Sequence, residues 1–324
     1  MNKENKLISG LTLISLICLI AAYFAPIWWV SLTAPNYPAD AFPDGIRIHF
    51  HFDGVYNGCK AAGKGTRMAN EIIQKDLAHD DERYNPILDA QKNVDKGAEG
   101  LDCVHEMNTI NHYVGMFPIA TGAPVEKPLA KFFFGFFAVM MVAFAMTAKK
   151  ARLATLTAGF AAVAVWMVVD QFVLGHLESH VQHYMQEAGA FFKEPEKIKI
   201  WGDNVRQVSM LVIIGLIAAM GIVIAGVAKI RNFQLVLALV PALLPVFFVI
   251  TYAGWLWFFG HNLHPWGAFT VKPFMPTVFG EGKVAQFSTF SYPYWGYGLL
   301  LVIFACLMLA LLLRRKQLRD GQAE

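Results

Sequence analysis

The chain has 324 residues, of which 56% are hydrophobic and 16% charged, with a formal net charge of +3. A soluble domain carries about one quarter charged residues. The deficit, with a mean hydropathy of +0.43, argues against a soluble domain and for an integral membrane protein whose first partner is the lipid bilayer. The small net charge, and the lack of a basic patch interleaved with aromatics, exclude nucleic acid as a partner.

A bilayer span needs about 20 mostly apolar residues. Six runs qualify, at roughly 7–26, 129–148, 153–175, 207–228, 232–259 and 294–313. The predicted fold class is all-α integral membrane, with about six transmembrane helices and a small mixed extracytoplasmic domain between helices one and two. The first run leads into YFAPIWWV, not a small-residue cleavage site, so it reads as an uncleaved anchor. Lys3 and Lys6 precede helix one. Lys149, Lys150 and Arg152 fill the turn after helix two, Lys229 and Arg231 the turn after helix four, and Arg314, Arg315, Lys316 and Arg319 follow helix six. By the positive-inside rule these ends are cytoplasmic, which predicts a multi-pass protein of the bacterial inner membrane with both termini in the cytoplasm.

The chain then divides into helix one (1–26), an extracytoplasmic domain (27–128), a helical hairpin (129–175), an extracytoplasmic His-rich segment (176–206), a second hairpin (207–259), an extracytoplasmic loop (260–293), and helix six with its basic tail (294–324). Trp28, Trp29, Trp255, Trp257, Tyr294 and Trp295 fall near outer helix ends, where an interfacial aromatic belt is expected. Inside 27–128, GIRIHFHF alternates apolar and polar residues and predicts a strand. Residues 66–96 read as helix plus loop, and TGAPVEKP as the loop entering helix two.

All ten histidines lie in outer segments or at their edges. Outer segments hold most polar residues anyway, so the spacing matters more than the bias. His176, His180 and His183 follow an i, i+4, i+7 pattern, which gives them one helix face, with Glu187 a turn further on. Two imidazoles at i, i+4 can ligate one metal ion. A proton relay or a pH-sensitive face are the alternatives. In HEMNTINHYVGM, a helix would place His105, His112 and Met116 on one face. Imidazole with thioether suits copper, Cu(I) above all. The competing reading packs Met116 on the bilayer side and leaves the histidines in headgroup water.

His49 and His51 are two apart on the strand and share a face, with Phe50 and Phe52 turned to a core. His261 and His264, at i, i+3, are a weaker pair, and His79 in an acidic run reads as a solvated surface residue. Met68, Met185 and Met275 are further soft donors. Asp170, Glu187 and Glu106 are candidates for supporting or proton-path groups. Asp170 lies about one and a half turns before His176, so a continuous helix keeps the two on different faces.

There are four cysteines. Cys59 and Cys103 fall in an outer segment, where an oxidising compartment favours a disulfide. A thiolate copper site is the rival reading. Cys18 and Cys306 lie in spans and read as apolar filler. No C-x-x-C-H is present, so covalent c-type haem has no support.

Three short stretches carry a family likeness: Ala34, Pro35, Tyr37 and Pro38; Gly45 to Ile48; and Asn111 to Met116. Together they resemble a group of polytopic bacterial membrane proteins found with nitrous oxide reductase and its copper-assembly proteins. The matching residues cover about a tenth of the chain. The insert at about 57–103 departs from the pattern, and the His-rich segments 176–187 and 261–264 lie outside it. The resemblance implies copper handling, or electron supply, for a periplasmic copper enzyme, alongside other membrane assembly subunits. An accessory metal-binding role is expected ahead of an enzymatic one.

The first alternative is the membrane subunit of a quinol-linked oxidoreductase with haem or copper, although no span holds a central histidine. A membrane metal-dependent hydroxylase would explain H-x-x-x-H, but such enzymes carry more histidine boxes, usually on the cytoplasmic side. A transporter is the last alternative, with Pro241 and Pro245 breaking helix five.

Overall fold

The computed structural model describes residues 3–39, 42–59, 102–118, 122–265, 267, 271–284 and 286–321. The expected helix and loop at 66–96, with Met68 and His79, lie outside the described residues.

In chain order the helices are α1 (Lys3–Phe24), α2 (Cys103–Tyr113), α3 (Glu126–Ala145), α4 (Lys149–Val168), α5 (His176–Phe191), α6 (Pro195–Lys229), α7 (Val236–Ala242), α8 (Leu244–His261) and α9 (Trp295–Arg319). Six of them, α1, α3, α4 with its extension to Val173, α6, α8 and α9, are long and apolar enough to cross a membrane. Ile17, Ile20, Val173, Leu211, Ile222 and Leu312 are exposed on these helices. In water so wide an apolar surface would be a liability; against lipid it is a matched one.

Two predicted spans have different limits. The run at 207–228 is the later part of a 35-residue helix, α6, which starts at Pro195, where a ring without an N–H costs no hydrogen bond. The run at 232–259 is broken into a 3₁₀ turn at Arg231–Leu235, α7 and α8. Pro241 lies inside α7 and Pro245 in the first turn of α8, and neither can donate to the helical ladder.

Basic residues close one end of the bundle. Arg314 and Arg152, both buried, donate to the Phe144 and Met146 carbonyls at 3.3 and 2.8 Å. These are terminal carbonyls of α3, which lack helical donors and carry the negative end of the helix dipole. Lys149 Nζ does the same for the Ala228 carbonyl of α6 at 2.8 Å.

A five-stranded antiparallel sheet caps the other end. Its strands are β1 (Trp28–Thr33), β2 (Ile46–Phe50), β3 (Val55–Asn57), β4 (Gly280–Val284) and β5 (Phe287–Pro293), in the order β3-β2-β1-β5-β4. Central β1 pairs Val30 with Ile48 of β2 and with Ser291 of β5. The sheet is therefore not confined to 27–128, since two of its strands come from the expected loop at 260–293. The cause is the packing of α1 along α9. β1 leaves one helix as β5 enters the other, and the junction is fixed by Tyr294 N–H to the Ile27 carbonyl at 2.9 Å and Gly296 N–H to the Pro26 carbonyl at 3.0 Å.

The expected aromatic belt is only partly one. Trp257 and Trp295 are exposed, but Trp28 is 3% exposed and donates to Ser291 Oγ at 2.9 Å. Asp102 caps α2, accepting from the Val104 and His105 amides at 3.0 and 3.2 Å. Cys103, the first residue of α2, is joined to Cys59 as a disulfide, so these sulfurs are not thiolate ligands.

Candidate functional site

The strongest convergence of predicted site residues is where α2 ends. Gly115, at φ 81°, turns the chain out of the helix, and Met116 N–H returns to the Asn111 carbonyl at 2.8 Å. A left-handed glycine is the ordinary way to stop a helix. Met116 therefore lies beyond α2, not on a shared face with His105 and His112, and it is buried against Val114 and Phe259. The same turn receives the segment after α8: His264 N–H donates to the Gly115 carbonyl at 2.6 Å. A Cβ on Gly115 would collide with the His264 carbonyl.

This contact brings His112 and His264 to one aromatic ring. Their centroids lie 5.3 and 4.5 Å from that of Phe192. Glu194 Oε2 is 3.1 Å from His264 Nε2. Burial lowers the His112 pKa, and the neighbouring His264 adds to the effect. Glu194 is held below the usual carboxylate range by Lys197 first, then by His264.

The α5 histidines share a helix but not a site. Asp170 lies in a π-helical turn, Val169–Val173, and Gly175 at φ 71° starts α5 afresh. The wider turn and the left-handed glycine reset the helical phase, so Asp170 and His176, expected on different faces, meet at 3.0 Å. Asp170 also accepts from Lys131 Nζ and Gln171 Nε2, each at 2.7 Å. His180 Nε2 donates to the Pro124 carbonyl at 2.8 Å, and burial lowers its pKa. His183 is exposed, and half-buried Glu187 lies a turn beyond it.

The remaining candidates are dispersed. His49 stacks on Tyr294 with centroids 5.1 Å apart. Burial, then Arg47 and His51, push its pKa down to about 4. His51 lies just past β2, its ring 4.4 Å from that of Tyr56, and burial lowers its pKa too. Phe50 and Phe52 do face the core, against Tyr252 and Phe134. Glu106 accepts from Tyr37 Oη at 3.1 Å, and burial raises its pKa. His105 is half-buried in the first turn of α2. His261 is exposed, stacked on Trp257 at 4.5 Å and bonded to its carbonyl at 2.8 Å. Met185 packs between α5 and α6, and Met275 is exposed.

Among the described residues, no three His, Cys, Asp or Glu side chains form a group able to hold a metal ion. His112 and His264 are the two imidazoles that separate segments bring together, with the Met116 thioether in the same turn. Two imidazoles and a thioether are soft enough for Cu(I). A carboxylate on the far nitrogen of one imidazole is the usual support of a metal-ligating histidine. Glu194 and Phe192 escape sequence reasoning. Glu194 precedes Pro195 and so marks a helix start, but nothing in the sequence ties it to His264.

No protein-family model, curated protein or solved structure matches the chain. Fold and site together define a six-helix membrane protein with a sheet-capped end.

Proposed function

We propose that this is an accessory protein of the bacterial inner membrane that binds copper at its sheet-capped end. That end faces the extracytoplasmic side, and the protein supports the maturation of, or electron supply to, a periplasmic copper enzyme such as nitrous oxide reductase. The observation that carries the reading is the His112–His264 approach around Phe192, built by the Asn111–Met116 turn. The orientation follows from the basic residues gathered at the opposite end. A haem held between spans has less support, because the one histidine in the described spans is His261, the last residue of α8. A hydroxylase has less support, because among the described residues His176 bonds to Asp170 and His180 to the Pro124 carbonyl.

The test is copper content and X-ray absorption of detergent-purified protein loaded with Cu(I). Wild type should hold copper with nitrogen and sulfur scatterers. His112→Gln with His264→Gln should lose it, and Glu194→Gln should weaken it about 10–100-fold. Copper held equally by the double variant would overturn the assignment, as would normal copper-enzyme maturation in a deletion strain.

A further inference from the structure

A cavity lies among the spans, and neither His112 nor His264 lines it. α8 stands off α3 and α6, its closest packing being against α9. The resulting cavity is about 620 Å³, within the range of about 300–1,000 Å³ typical of small-molecule sites. Its walls are apolar, with Phe137, Leu216 and Ala219 facing Leu244, Phe248 and Leu256. From Leu244 to Phe259 along α8 it runs on the order of 20 Å at 1.5 Å per residue. That is room for a chain, not a compact solute.

One end differs in kind. At the sheet-capped end the lining includes Glu126, Lys127, His51, Tyr252 and Trp255. Trp255 Nε1 donates to Glu126 Oε2 at 2.8 Å. Phe50 packs edge-on to Tyr252 and Phe52 edge-on to Phe134, at 5.2 and 4.7 Å, so flat aromatic faces flank the same end. A carboxylate placed at the start of a span is costly unless it serves a partner or a ligand.

We infer that this cavity binds a membrane amphiphile with an uncharged, hydrogen-bonding ring as its head and a long isoprenoid chain as its tail, that is, a quinone or quinol. The tail lies along α8, and the ring sits between Trp255, Glu126 and His51. The charge balance decides against a phospholipid. Lys127 is the one cation among the described lining residues, and Glu126 lines the same end. A phosphodiester would meet a single cation with a carboxyl group beside it in the lining. A neutral ring meets donors, acceptors and aromatic faces. The inference does not depend on the copper reading.

The full-length protein in phosphatidylcholine nanodiscs is titrated with a short-chain ubiquinone, and bound quinone and phospholipid are quantified by mass spectrometry. Wild type should retain quinone saturably. Gly215→Trp should reduce retention about tenfold, as loss of roughly 1.4 kcal/mol of binding would. Gly215 lines the cavity, and a Cβ there meets no atom within 4 Å, so a larger side chain starts out into open space. Glu126→Gln should weaken quinone binding while phospholipid content stays constant. Equal quinone in wild type and Gly215→Trp would overturn the inference. So would a tightly held phospholipid that quinone does not displace, or a dimer whose partner helix fills the cavity and which Gly215→Trp dissociates.

Discussion

The backbone N–H of His264 is 2.6 Å from the carbonyl of Gly115, and the two residues come from segments on opposite sides of four spans. The contact leaves no room for a side chain at Gly115, whose φ of 81° already disfavours one. Gly115→Ala should therefore cost about 2–4 kcal/mol, from left-handed strain plus displacement of the His264 loop. Thermal unfolding in detergent is the measurement. An unchanged midpoint would mean that the two segments do not lean on each other.

Asp170 and Lys131 form an ion pair at 2.7 Å within the spans, with the Asp170 side chain 8% exposed. Removing one member strands the other near lipid. Asp170→Asn should destabilise by about 1–3 kcal/mol. The double variant Asp170→Asn, Lys131→Met should be less damaged than the sum of the singles. Strict additivity in that cycle would show that the pair contributes no coupling.

Cys59 and Cys103 are 44 residues apart, and their bond fixes the start of α2 beside β2 and β3. The loop-closure relation gives roughly 4 kcal/mol for a loop of this size. Cys59→Ser with Cys103→Ser should lower thermal stability markedly, whereas Cys18→Ser should not. Mass spectrometry with and without reductant checks the bond independently.

His49 makes the sheet-capped end acid-sensitive. Its pKa falls from 6.5 to about 4 on folding, so the unfolded chain binds the extra proton. Its contribution to stability is complete above pH 6.5 and is lost as pH falls towards 4. His51, His112 and His180, all lowered by burial, act in the same direction, while the raised carboxyl of Glu106 opposes them. His49→Phe keeps a ring against Tyr294 and should flatten the acid limb of the unfolding midpoint. A wild-type slope in that variant would move the acid sensitivity elsewhere.

The spans were legible because long apolar runs need no tertiary information. β2 was legible because GIRIHFHF alternates. β4 and β5 were not: GEGKV carries two glycines, and the central-strand partner of β5, β1, lies more than 250 residues earlier. The meeting of Asp170 and His176 was hidden because a helical wheel assumes an unbroken 3.6-residue period. Gly175, immediately before His176, was the available sign that the period restarts. The gathering of His112 and His264 was half visible. The residues stood out, but their approach depends on Gly115, Phe192 and Glu194, which no local pattern connects.

The place of β1 in the sheet also orders the folding reaction in time. It is the first strand to be synthesised, yet one of its two partners is β5, which precedes the last span. A nascent chain must keep this edge unpaired while four further spans enter the membrane. Closure of the sheet is then a late event, made slow by the long sequence separation of its partners. The exposed edge of β1 is the part of the folding chain most in need of protection from wrong pairing.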